Sequence, residues 1–173
     1  PAAVDDLQPG DMIQTSTGEA AQLTWVGTST FSPADAGKRT PLIRIMPDSL
    51  GQSRPERSLT VGPGARILHT PANLRGLADG KQLLTPASKF VDGVNVIEVT
   101  PPTPTRLFHI CLSRHAVINV DGIEMETFHP GAAAPREVSH SLRDRFISLF
   151  PRIGHLSDFG PLAHPRAPEI DTH

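Results

Sequence analysis

Short apolar runs bounded by Gly, Pro, Asp or Ser recur along the whole chain, and no long amphipathic stretch separates them. Runs rich in Val, Ile, Leu and Thr predict strands at Asp11–Thr15, Ala21–Val26, Leu42–Met46, Ser58–Val61, Arg66–His69, Gln82–Pro86 and Val94–Val99. The densest signal lies between Arg106 and Gly131. There Leu107, His109 and Cys111 alternate with Phe108, Ile110 and Leu112, the period of a strand. Ser113-Arg114-His115 reads as a turn. Ala116–Val120 then runs into Asp121-Gly122, a dipeptide that accepts the positive φ angles of a tight hairpin, and Ile123, Met125 and Thr127 alternate again. Three strands in a meander are the expectation.

One helix is predicted near the end. Pro135 opens it, Val138, Leu142, Phe146 and Leu149 share a face, and Pro151 closes it. After Gly154 the sequence reads as an irregular strap. The expected organisation is an all-β domain over 1–134, with residues 135–173 supplying a helix and strap packed on it. A weak internal repeat adds to this. Val4–Ile13 aligns with Ala87–Val96, each copy passing from an apolar turn through a glycine (Gly10, Gly93) into a strand.

Composition narrows the function. The 173 residues suffice for one core, and 18 prolines spread along the chain work against long helices. Sixteen basic and 18 acidic residues give a net charge of −2, and the arginines are scattered, so nucleic acid is not an expected partner. No run has the length of a membrane span and no basic, apolar leader opens the chain, so no membrane partner is expected either. One cysteine cannot close an internal disulfide. The chain opens on Pro1 rather than methionine, as a piece of a longer polypeptide would, although removal of an initiator methionine leaves the same end.

The reactive side chains concentrate where the strand signal is strongest. His109, Cys111, His115 and His129 are ligand types zinc prefers, but their spacing matches no zinc pattern, and no metal or cofactor is assigned. Cys111 reads as a small buried hydrophobe, His109 as a core histidine satisfied by backbone, and His115 as a turn residue bonded to a neighbouring carbonyl. Glu124 and Glu126 project from one strand face, where solvated edge carboxylates are the expectation. Gly62-Pro63-Gly64 lacks the Lys and Ser or Thr of a phosphate loop and reads as a turn. Pro1 could offer a secondary amine, but no basic constellation accompanies it. Trp25 is expected as a core or half-buried anchor, and His155, His164 and His173 as solvent-exposed or packing residues.

Taken in order, VDDLQPGDMIQT, LTWVG, PLIRI, SLTVGPGARIL, LLTPASKFVDG, LFHICLSRHAVINVDGIEMETFHPG and ISLFPRI resemble the bacterial Hedgehog/intein (Hint) domain. The likeness runs from Val4 to about Arg166. It implies an all-β horseshoe of two pseudo-twofold-related halves, in agreement with the internal repeat. It also implies self-processing: an N-terminal Cys or Ser attacks the preceding carbonyl, converting an amide to a thioester or ester that a second nucleophile cleaves. A T/S-x-x-H motif strains and protonates the scissile bond.

Carried over residue by residue, the resemblance keeps the scaffold and loses chemistry. The nucleophile belongs to a strand before the D-L-x-P-G-D element, and Pro1 falls just short of it. The T/S-x-x-H motif aligns with Gly62-Pro63-Gly64-Ala65, so Gly62 replaces the hydroxyl residue and Ala65 the histidine. The intein His-Asn pair aligns with Glu126-Thr127, which excludes asparagine cyclisation. His115 keeps a family histidine position, and His109 lies near a place where some members hold an assisting residue. These two are the candidate catalytic residues. Three expectations follow: a self-processing domain of a larger bacterial protein, secreted or surface-associated, inactive as given; a degenerate Hint domain kept as a structural or protein-binding module; or an unrelated His-dependent enzyme on the same scaffold.

Overall fold

A computed structural model describes residues 1–72, 81–130, 140–150 and 153–167. Among them are ten strands: β1 Met12–Gln14, β2 Ala20–Phe31, β3 Leu42–Ile45, β4 Leu59–Val61, β5 Arg66–His69, β6 Leu83–Pro86, β7 Val96–Val99, β8 Thr105–Leu112, β9 Val117–Val120 and β10 Ile123–Glu126. One α-helix, α1, spans His140–Ser148. The strands form three sheets ordered β1-β2-β8, β6-β5-β10-β9 and β4-β3-β7. The described residues form an all-β fold with a C-terminal helix, as the sequence predicts.

The chain divides into two compact units, each assembled from separated stretches. The first takes residues 1–27, 108–116 and 127–163; the second takes 28–107, 117–126 and 164–173. The second unit has an aliphatic core. In it β3 is flanked on both sides, with Ile43 opposite Val61 of β4 and Glu98 of β7, and its Leu42, Ile43 and Ile45 are buried. The β6-β5-β10-β9 sheet is covered on both faces, because consecutive residues of a strand point opposite ways. Ile67, Ile123 and Met125 join one cluster while Leu68, Leu84 and Val117 form another.

The hairpin β9–β10 follows the expectation from Asp121-Gly122. Val120 faces Ile123, leaving a two-residue turn with φ of 52° at Asp121 and 91° at Gly122. Gly122 is required for a second reason: a Cβ there would collide with the Ser53 carbonyl oxygen. Arg57 pairs with Asp121 at 3.0 Å, and the Glu56 amide donates to the Asp121 carbonyl at 2.9 Å, so the turn is held by the 53–57 loop.

The first unit is organised by aromatics instead. Cys111, Phe150 and Phe159 are buried together, with Trp25, Phe128, Phe146 and Ile153 packed around them. Trp25 is half-buried, its ring centroid 4.7 Å from that of Phe150 and 5.7 Å from that of Phe128. The same ring explains why β2 runs on to Phe31 rather than stopping at Val26. Gly27 reads as a strand breaker, but a Cβ there would strike the Trp25 indole, so the glycine makes room for the ring within a continuous strand.

Both copies of the internal repeat fold alike. Val4–Asp6 and Ala87–Phe90 are 3₁₀ turns, Gly10 and Gly93 follow with φ of 105° and 77°, and β1 and β7 come next. The second copy turns one residue longer.

Three expectations need correction. β8 is no part of a meander: it lies beside β2, while β9 and β10 belong to another sheet. Alternation shows that a segment is a strand without choosing its partner, and after Leu112 the Ser113 amide donates to the Gln22 carbonyl at 2.8 Å. Leu149 is 55% exposed, and Phe150 fills the buried position at the end of α1. The larger ring fits the aromatic cluster, and the helix ends at Ser148, so helical spacing no longer governs residue 149. Pro135, Val138 and Pro151 lie outside the described residues. Glu126 is no solvated edge carboxylate; Arg166 bonds it at 2.8 Å, with the glutamate side chain 8% exposed.

Candidate functional site

Two turns carry the residues that the sequence singles out, one in each unit. In the second unit, Gly62–Ala65 links β4 to β5. The Ala65 amide donates to the Gly62 carbonyl at 3.1 Å, closing a tight turn, and the Ala65 carbonyl accepts from Ala87 at 2.7 Å. The Ala65 methyl packs against the aliphatic core. Neither Gly62 nor Gly64 has a positive φ. A Cβ on Gly62 would meet only Leu107 Cδ1, at 3.9 Å, so the backbone at 62 accepts a side chain without rearrangement. This turn offers backbone and methyl groups; it holds no hydroxyl and no imidazole that could move a proton.

In the first unit the chain leaves β8 at Leu112 and bends through Ser113 and Arg114 to His115. His115 is buried, 7% exposed. Its Nδ1 accepts a hydrogen bond of 2.7 Å from the Ala163 amide, a partner in the strap. A backbone amide only donates, so Nδ1 carries the lone pair and the ring proton of the neutral histidine sits on Nε2. The His129 ring stands edge-on to His115 with centroids 5.1 Å apart. Its Nε2 lies 2.9 Å from the Gly160 carbonyl oxygen, which only accepts, so this nitrogen also bears a proton.

The turn beyond His115 is pinned by Thr127, itself buried. Its Oγ1 accepts from the Ala116 amide at 3.1 Å and donates to the Ala116 carbonyl at 3.0 Å, while its amide donates to that same carbonyl at 3.0 Å. Glu126 and Thr127 thus serve as an ion-pair partner and a clamp.

His109 differs from the expected core histidine. It is exposed on β8 by surface area, yet enough of its ring is packed for desolvation to hold its pKa below the usual histidine value. Cys111 is buried as expected. Burial raises its thiol pKa, opposed by the neighbouring Thr24 hydroxyl. Among the described residues, no group of three or more His, Cys, Asp or Glu side chains is arranged to hold a metal ion. Among them, too, no helix is long and apolar enough to cross a membrane.

The strap was missing from the sequence reading of the site. Asp158 Oδ2 accepts from the Gly154 and His155 amides at 3.0 and 2.9 Å, and these bonds, that to His155 first, lower its pKa. Gly160 then turns the chain with φ of 73°. A glycine-proline pair after a short turn was the only local sign, and nothing local links residue 163 to residue 115.

Comparison with protein families gives one decisive match: the Hint domain, over residues 1–132. The chain belongs to the Hint domain family. No curated relative and no solved structure matches it. The match covers the repeat, both turns and the β9–β10 hairpin. It ends before α1 and the strap, so the segment that bonds His115 and His129 lies outside the matched residues.

Proposed function

We propose that this Hint domain derives from self-processing domains and that its acyl-shift chemistry is off in the sequence as it stands. In the active reaction an upstream Cys or Ser attacks the preceding carbonyl, the C–N bond breaks, and the departing nitrogen takes a proton from a nearby acid. The observation that carries the reading is the Gly62–Ala65 turn. Where the family resemblance calls for a hydroxyl and an imidazole, the turn presents a bare backbone and a core-packed methyl. His115 remains, but its Nδ1 is engaged by the strap. The domain is read as one piece of a longer polypeptide whose upstream residue would supply any nucleophile.

The second reading, a Hint domain kept as a structural or protein-binding module, is favoured by that same engagement of His115. A direct test fuses a short reporter peptide ending in Xaa-Cys ahead of Val4 and follows it by mass spectrometry with and without dithiothreitol. The proposal expects intact fusion after prolonged thiol treatment. Thiol-dependent release of the reporter would overturn it.

A further inference from the structure

His115 and His129 are both tied to one short stretch of chain, Phe159–Ala163. We infer that this strap, positioned by His129, sets the tautomer of His115 and makes it a hydrogen-bond donor at Nε2 only. His129 Nε2–H holds the Gly160 carbonyl at 2.9 Å. Three residues on, the Ala163 amide donates to His115 Nδ1 at 2.7 Å. Around this link the packing is close: Phe159 is buried and its ring is 6.0 Å from that of His129, which is itself 5.1 Å from His115. The positive φ at Gly160 gives the chain the bend between the two bonds, and Asp158 closes the turn before it.

The consequence is chemical. With Nδ1 occupied by an amide, His115 cannot take a proton there without breaking the bond to Ala163, and its Nε2 already holds one. In this state it can polarise a carbonyl through Nε2–H, but it can neither begin as a base nor hand over its proton as an acid, since losing it from the neutral ring would leave an imidazolate. His129 is therefore a positioning residue that acts through the strap, and the strap is a part of the site contributed from outside the residues matched to the family. Only the donor role in processing rests on the function proposed above; the tautomer stands on the geometry.

The test uses the full chain. Long-range ¹⁵N correlation spectra of the imidazoles, with His115 assigned through His115→Gln, are expected to show His115 unprotonated at Nδ1 and protonated at Nε2. The Ala163 amide is expected to exchange slowly. His129→Phe keeps a ring but removes the donor, and should speed Ala163 exchange by about tenfold, the effect of one lost bond of ordinary strength, while mixing the His115 tautomers. His129→Gln, which retains an N–H donor, should recover most of both. A proton on Nδ1 of wild-type His115, or an Ala163 amide exchanging like an exposed one, would overturn the inference, and the second observation needs no variant. Equal exchange in wild type and a folded His129→Phe would overturn the role of His129. Reporter cleavage is a separate readout, so failure of the processing proposal leaves these signatures unchanged.

Discussion

The turn at Gly62–Ala65 and the turn at Ser113–Ala116 answer the same family pattern in opposite ways. The first offers no reactive side chain: residue 62 is glycine, and the Ala65 methyl packs against the aliphatic core. The second keeps its histidine and surrounds it with partners, among them the Ala163 amide and the His129 ring. On the function proposed above, chemistry leaves this Hint scaffold by deletion at one place and by engagement at another. A deleted group can be put back, provided the space survives, whereas an engaged group must be released.

Aromatic packing behind the second turn gives the largest expected effect. Phe150→Ala should cost about 3–5 kcal/mol, the usual range for emptying a buried phenylalanine site, because its ring contacts Trp25, Phe128, Phe146 and Phe159. Leu149→Ala, one residue earlier and exposed, should change stability by no more than about 0.5 kcal/mol. Chemical denaturation of the two variants separates them. Thr127→Val comes next, at about 1–3 kcal/mol, since it leaves the buried Ala116 amide without its hydroxyl acceptor. It should also broaden the His115 ring resonances.

His109 gives a smaller, pH-dependent effect. Its pKa is depressed in the folded state, so the unfolded chain binds the proton more readily. Its contribution to stability is therefore full above the ordinary histidine pKa and declines as pH falls from there toward the lowered folded value. Thermal midpoints of wild type and His109→Asn, measured across that interval, should show the wild type losing more stability on acidification. A parallel decline in both proteins would remove the desolvation argument. Smallest of all is Gly62→Ser, expected within about 0.5 kcal/mol of wild type, because its Cβ enters open space beside Leu107. A large loss there would show that the first turn cannot be refilled, and the contrast between deletion and engagement would fail.

Much of the scaffold was legible in the sequence because it rests on local signals. Asp121-Gly122 fixed a hairpin, alternation at Ile123 and Met125 marked a buried face, and the paired turn-glycine-strand repeat reappeared in both copies. Partner choice was not legible. Alternation along β8 could not say that β2, rather than β9, would lie beside it, and Gly27 looked like a strand end because the ring covering it belongs to Trp25 two residues away. The deleted turn could be read by matching motif positions alone. The engaged one could not, since the bond that defines the state of His115 comes from an amide 48 residues further on.

We propose that processing was lost with the side chains at 62 and 65 while the fold that would use them remains. It is tested most directly by the reporter-Cys fusion carried in two forms, with Gly62 and Ala65 as they are and with Gly62→Thr and Ala65→His together, both followed by mass spectrometry under dithiothreitol. The account predicts an intact parent fusion and reporter release from the doubly substituted one. Release from the parent, or a folded double variant that stays intact, would contradict it.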